Sequence, residues 1–141
     1  MKEAFKKRVN QQLDSSSQLC KILIVDDEYV NIYALKIMLS RLNYVCDVAN
    51  NGEEGLEKYK TFQPIIIFMD IEMPIMNGIT ATKLIRSYCQ ANQIEQPIII
   101  ASTAYTDAGT KAICNEAGMD HFLQKPIHSN EVIEILQTIS N

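Results

Sequence analysis

The chain has 141 residues, 47% of them apolar and 21% charged, which suits one globular domain with a proper core and excludes a disordered chain. Its net charge of −4 is uneven: residues 1–20 hold four bases and two acids, so the other 121 residues carry −6, which argues against nucleic-acid binding by the core domain. Four scattered cysteines and two histidines show no metal-ligand spacing, and no apolar run suits a signal peptide or a membrane span, so a cytoplasmic protein with reduced thiols and no membrane contact is expected.

Residues 1–20 read as a polar N-terminal extension. Phe5, Val9 and Leu13 recur every four residues as a narrow apolar stripe, and Ser15-Ser16-Ser17 reads as a linker into a domain over residues 21–141. From Lys21 strands and helices alternate. Lys21–Val25 is a buried strand that ends on Asp26-Asp27-Glu28. Tyr29 to Leu42 is a helix whose core face takes Leu35, Met38, Leu39 and Leu42. Tyr44–Ala49 is the second strand, and Asn51 caps a helix that runs to Phe62 with two glutamates in its first turn.

The third strand carries five consecutive apolar residues, Ile65 to Met69, and stops on Asp70; a run without alternation is a strand buried on both faces. Pro74 and the Asn77-Gly78 pair break it and open a helix to about Ala91. Pro97–Ser102 is a fourth strand ending on Thr103, and Asp107–Ala117 a helix closed by Gly118. Met119–Gln124 is a fifth strand ending on Lys125-Pro126, and Ser129 caps a last helix with a core stripe of Val132, Ile135, Leu136 and Ile139. Five βα units with short connections imply a doubly wound parallel sheet covered on both sides.

In such a sheet the strand C-termini share one edge, where ligands bind. That edge collects Asp26, Asp27, Asp70, Thr103 and Lys125. Each has a plain explanation alone, as a cap, a turn or a surface lysine, but agreement at four strand ends points to one site. Three crowded carboxylates call for a cation, and an incomplete cage of oxygen ligands suits Mg²⁺ with a phosphate completing the shell. Lys125 adds a second positive charge and Thr103 a hydroxyl for a phosphoryl oxygen. That set suits phosphoryl transfer to a carboxylate, with Asp70 as the nucleophile.

In its motifs VDDE (25–28), MDIEMPIMNG (69–78), STA (102–104) and FLQKPI (122–127), the chain resembles the receiver domain of two-component response regulators, over Lys21 to the C-terminus. The resemblance implies a flavodoxin-like (βα)5 fold with strand order 2-1-3-4-5; the handful of proteins that typify that order include a receiver. It implies that Asp70 is the phosphoacceptor, and that Asp26, Asp27, Asp70 and the backbone carbonyl of Glu72 hold Mg²⁺, with Asp27 the more direct ligand of the first pair. Thr103 takes the role of switch hydroxyl, Phe122 of the aromatic switch and Lys125 of the conformational lysine, on a cis Lys125–Pro126 peptide. Asn31 and the MPIMNG and KPI runs are most similar to receivers of hybrid histidine kinases. Ser102 and Ile32 depart from the family's usual residues without touching the chemistry.

The implied partner is a histidine kinase or a histidine-containing phosphotransfer protein. By the same resemblance it docks on Asn31, Ile32, Pro126 and Ile127. Such a module catalyses its own phosphorylation and dephosphorylation and is not a multi-turnover enzyme. Two alternatives remain. A haloacid-dehalogenase-like phosphatase would also use Asp70 as nucleophile, but places an Asp two residues later, where this chain has Glu72. A degenerate receiver that only binds conflicts with the intact Asp, Thr and Lys set.

Overall fold

The third strand is central because nothing in it is polar until its last residue. A computed structural model describes residues 21–140, so the extension expected over residues 1–20 lies outside the described residues. The strands are β1 (Lys21–Val25), β2 (Val45–Ala49), β3 (Ile66–Asp70), β4 (Ile98–Thr103) and β5 (His121–Gln124). The helices are α1 (Tyr29–Arg41), α2 (Gly52–Phe62), α3 (Gly78–Ala91), α4 (Ala108–Ala117) and α5 (Ser129–Ser140). All neighbouring strands pair in parallel, in the order β2-β1-β3-β4-β5. The expected fold is therefore the observed one.

Alternate residues of each strand feed opposite cores, as period-two geometry requires. Ile22, Ile24, Ile66, Phe68, Ile100 and Leu123 pack under α1 and α5. Leu23, Val25, Ile67, Met69, Ile99 and Ala101 pack under α2, α3 and α4. Every residue of β3 is buried, Asp70 included. Burying a side chain such as Phe68 or Ile67 contributes about 1.5–3 kcal/mol each, so the sheet's centre is also its most stable part.

The element ends differ from the sequence-based ones in physically interpretable ways. Tyr44 joins no ladder because its N–H bonds back to the Leu39 carbonyl, closing α1. Met119 likewise bonds to Cys114 as the chain leaves α4 through Gly118, at φ 101, so β5 starts only at His121. Ser129 is not the cap of α5: Val132 N–H bonds to the His128 carbonyl, which makes Ser129 the first helical residue. Asn51, Asn77 and Asp107 do cap their helices, accepting from Glu54, Thr80 and Thr110 N–H groups at 2.8–2.9 Å. At the far end of the sheet from these caps, Arg86 ties α3 to two neighbours. Its guanidinium donates to the carbonyls of Gly118 and Pro97, and pairs with Asp120 at 2.8 Å.

Candidate functional site

β1 and β3 are adjacent and in register, with Val25 opposite Met69, so Asp26 and Asp70 leave the sheet side by side. Both are buried, at 4% exposure, while Asp27 is exposed. One carboxylate oxygen from each of Asp26, Asp27 and Asp70 lies within 4.8 Å of the others. Lys125, just past β5, reaches back across the sheet edge. Its ammonium sits 3.0 Å from Asp70 Oδ1 and 3.1 Å from Asp26 Oδ2. The Lys125–Pro126 peptide is cis, as the resemblance implies. Asp26 Oδ1 also accepts the Glu28 N–H at 2.9 Å, which fixes the acidic turn ahead of α1.

Burial and the neighbouring Asp26 charge push the Asp70 carboxyl up to about 7, against the hydrogen bond and charge of Lys125. Burial alone would lower Lys125, but the hydrogen bond to Asp70 and the charges of both carboxylates hold it above the usual lysine range. One ammonium among three carboxylates leaves the cluster short of positive charge. Hard oxygen donors, open to solvent on the Asp27 side, fit a divalent cation of the Mg²⁺ type.

Thr103 ends β4 and is 2% exposed. Its Oγ1 accepts the Tyr105 N–H at 3.0 Å, so the hydroxyl is anchored within its own loop. Beside it opens a cleft of about 430 Å³, bordered by Glu72, Asn77, Thr103, Tyr105, Thr110 and Cys114, among others. Glu72 is exposed on the loop after β3. Phe122 pairs with Ala101 across β4–β5, is half-buried, and carries the Lys111 ammonium 5.4 Å from its ring centre.

The loop between β3 and α3 is held by features that the motif reading passed over. At Gly78 an added Cβ would sit 2.0 Å from the Asp70 carbonyl oxygen, so only glycine lets α3 start against the acidic residue's own backbone. Gly52, opening α2, gives its N–H to the Met76 carbonyl at 2.9 Å, and a Cβ there would lie 2.5 Å from that oxygen. Between them Ile75 takes φ 71, a left-handed conformation rare for a β-branched residue. Met76 N–H closes that turn onto the Pro74 carbonyl at 2.7 Å. The break expected from Pro74 and the Asn77-Gly78 pair thus has its left-handed residue between them, at Ile75. Strain of this kind gathers at functional loops.

One docking residue needs correction. Ile32 is 7% exposed and belongs to the core, because the inward stripe of α1 is Ile32, Leu35 and Leu39 at i, i+3 and i+7. The exposed residues of that segment are Tyr29, Val30 and Tyr33, at 74%, 75% and 56%, with the two tyrosine rings stacked 5.9 Å apart. Asn31 is half-buried and faces Glu28. Pro126 is exposed, whereas Ile127 packs against the α1/α5 core.

A five-stranded 2-1-3-4-5 sheet with an acidic cluster and a lysine at its C-terminal edge defines a receiver-type α/β domain. The family model for the response regulator receiver domain matches residues 22–137, and the chain belongs to that family. Among curated relatives, it is 39% identical over 118 residues to hybrid signal transduction histidine kinase F of Dictyostelium discoideum, covering 83% of this chain and 11% of that protein. It is 33% identical over 140 residues to histidine kinase 5 of Arabidopsis thaliana, covering 83% and 15%. The chain thus spans only a small part of the length of these relatives. Among solved structures, it is similar to the co-crystal structure of the Saccharomyces cerevisiae histidine phosphotransfer signaling protein Ypd1 and the receiver domain of its downstream response regulator Ssk1. That match has a TM-score of 0.82 and 26% identity, and covers 86% of this chain and 89% of that one. Among the described residues, no helix is long and apolar enough to cross a membrane.

Proposed function

We propose that this domain accepts a phosphoryl group on Asp70 from a phosphohistidine partner, in the presence of Mg²⁺. The observation that carries the reading is the half-buried Lys125 ammonium bridging Asp26 and Asp70 at 3.1 and 3.0 Å, beside the exposed Asp27. In the reaction the Asp70 carboxylate attacks phosphorus, a carboxyl O–P bond forms, and the N–P bond of the phosphohistidine breaks. The histidine nitrogen keeps the electron pair of the broken bond. Asp26 and Asp27, with the Asp70 carboxylate and the Glu72 carbonyl, are the residues that would hold Mg²⁺, whose charge would offset that of the phosphoryl oxygens. Lys125 stays within hydrogen-bonding reach of Asp70 and stabilises the charge that builds on the phosphoryl group. Thr103 turns its hydroxyl from the Tyr105 N–H toward a phosphoryl oxygen, and Phe122 follows, which makes the conformational switch. The chain's own groups do this chemistry once per phosphoryl group, in both directions of the switch, rather than turning over a substrate.

The partner is a histidine kinase or a histidine-containing phosphotransfer protein, met in the cytoplasm. The relative from yeast was solved with such a phosphotransfer protein. For docking we favour Tyr29, Val30, Asn31 and Tyr33 with the Pro126–Ile127 turn, all flanking the acidic edge. The test is incubation with acetyl phosphate and Mg²⁺ followed by intact mass measurement. One added phosphate is expected, absent in Asp70→Asn and absent when the metal is chelated. Labelling that persists in Asp70→Asn would overturn the assignment.

A further inference from the structure

Phe122 and Thr103 lie on the same face of the sheet. Phe122 pairs with Ala101, and Thr103 is two residues beyond Ala101 on β4, so period-two geometry points all three side chains toward α4. Between them Ala101 offers only a methyl group. The cleft of about 430 Å³ next to Thr103 is walled on the α4 side by Thr110, Ile113 and Cys114. Phe122 stands outside that cleft, half-exposed, with its ring beneath the ammonium of Lys111 on the same helix.

Lys111 lies on an exposed position of α4. Among the described residues it forms no ion pair, and Asp107, one turn earlier, commits one carboxyl oxygen to the Thr110 N–H and the other to the Thr110 hydroxyl. A cation over an aromatic face is attracted by the ring's quadrupole. That attraction exists only while the ring stays under the ammonium, and is lost when the ring turns inward.

We propose that Lys111 is a positioning residue that holds Phe122 in its outward place and so sets how readily the switch turns. The inference rests on the reading of Thr103 and Phe122 as the switch. Removing the ammonium takes a stabilising contact from the outward state alone, which shifts the two-state equilibrium inward by roughly two- to five-fold. Because the inward state is the one that binds the phosphoryl group better, the same factor carries into the affinity for a phosphoryl mimic.

The experiment uses the full chain labelled with 4-fluorophenylalanine, its Phe122 signal assigned by Phe122→Leu, in wild type, Lys111→Met and Lys111→Arg. Fluorine spectra are taken with Mg²⁺ alone and during titration with beryllofluoride. In wild type the Phe122 signal moves on titration. In Lys111→Met it is already displaced in that direction before beryllofluoride is added, and the mimic binds about two- to five-fold tighter. Lys111→Arg, which keeps a cation over the ring, restores the wild-type position and affinity. If wild type responds while Lys111→Met matches it in both readouts, the role of Lys111 is overturned and the switch stands. If the wild-type Phe122 signal ignores beryllofluoride, the switch reading itself fails and takes the inference with it.

Discussion

Gly78→Ala is the most local perturbation of the site that leaves every chemical group in place. The new Cβ would sit 2.0 Å from the Asp70 carbonyl oxygen, where ordinary contact begins at 3.4 Å. Something must therefore yield by about 1.4 Å, and both parties are backbone, so no flexible side chain absorbs it. Overpacking of this kind costs about 1–3 kcal/mol. The shift also endangers the Gly78 N–H bond to the Ile71 carbonyl, 2.9 Å long, worth about 0.5–1.5 kcal/mol. A net destabilisation of about 0.5–4.5 kcal/mol is expected, since the helix preference of alanine returns at most about 1 kcal/mol. The same shift moves Asp70 against Lys125, and a displacement near 1 Å costs on the order of a hundredfold in rate. Urea unfolding gives the first number and the rate of labelling by acetyl phosphate the second. Gly109→Ala is the control, because its Cβ would meet only the Asp107 side chain, at 3.2 Å, and stability should hold or rise. A Gly78→Ala protein with wild-type stability and labelling would refute the reasoning.

Three further predictions follow from the same geometry. Lys125→Met leaves Asp26 and Asp70 facing each other without their shared cation, so labelling should fall by at least about tenfold while Mg²⁺ is saturating, as labelling rates would report. The Asp70 carboxyl stands at about 7 against a usual 3.8, so the folded state binds the extra proton between those values. The stability this proton contributes is complete below about 4 and lost as the pH rises through about 7. In metal-free buffer the unfolding midpoint of wild type should therefore drop more between pH 5 and pH 8 than that of Asp70→Asn, and equal drops would contradict the raised value. Val30→Glu and Tyr33→Glu, at exposed positions, should slow phosphotransfer from a phosphohistidine protein and leave acetyl phosphate labelling intact. Ile32→Glu, in the core, should instead lower the unfolding midpoint and reduce both activities together.

The strand ends were legible because sheet position depends on apolar runs, and a carboxylate that stops such a run stands out. β3 and its Asp70 needed no tertiary information. Ile32 was misplaced because α1 is apolar on more than one flank: Leu35 and Leu39 fit a stripe with Met38 and Leu42 as well as one with Ile32. The packing of α1 takes in both, with Ile32 buried and Met38 and Leu42 partly buried against the same core. The glycines were invisible for a different reason. What makes Gly78 and Gly52 necessary is a backbone from another element, at Asp70 and at Met76. The break was legible from Pro74 and Asn77-Gly78, but the left-handed residue between them was hidden because the residue type of Ile75 opposes its conformation. Arg86 reads in sequence as one more charged helix residue, and its partners at Pro97, Gly118 and Asp120 belong to other elements.

The central claim is that the acyl phosphate forms on Asp70, and it is tested most directly by chemical trapping. The protein is phosphorylated by a phosphohistidine donor, reduced with borohydride, which converts an aspartyl phosphate to homoserine, and mapped by peptide mass spectrometry. Homoserine should be found at residue 70 and nowhere else. Homoserine at residue 26 or 27 instead, or a phosphorylated protein that yields none, would contradict the account.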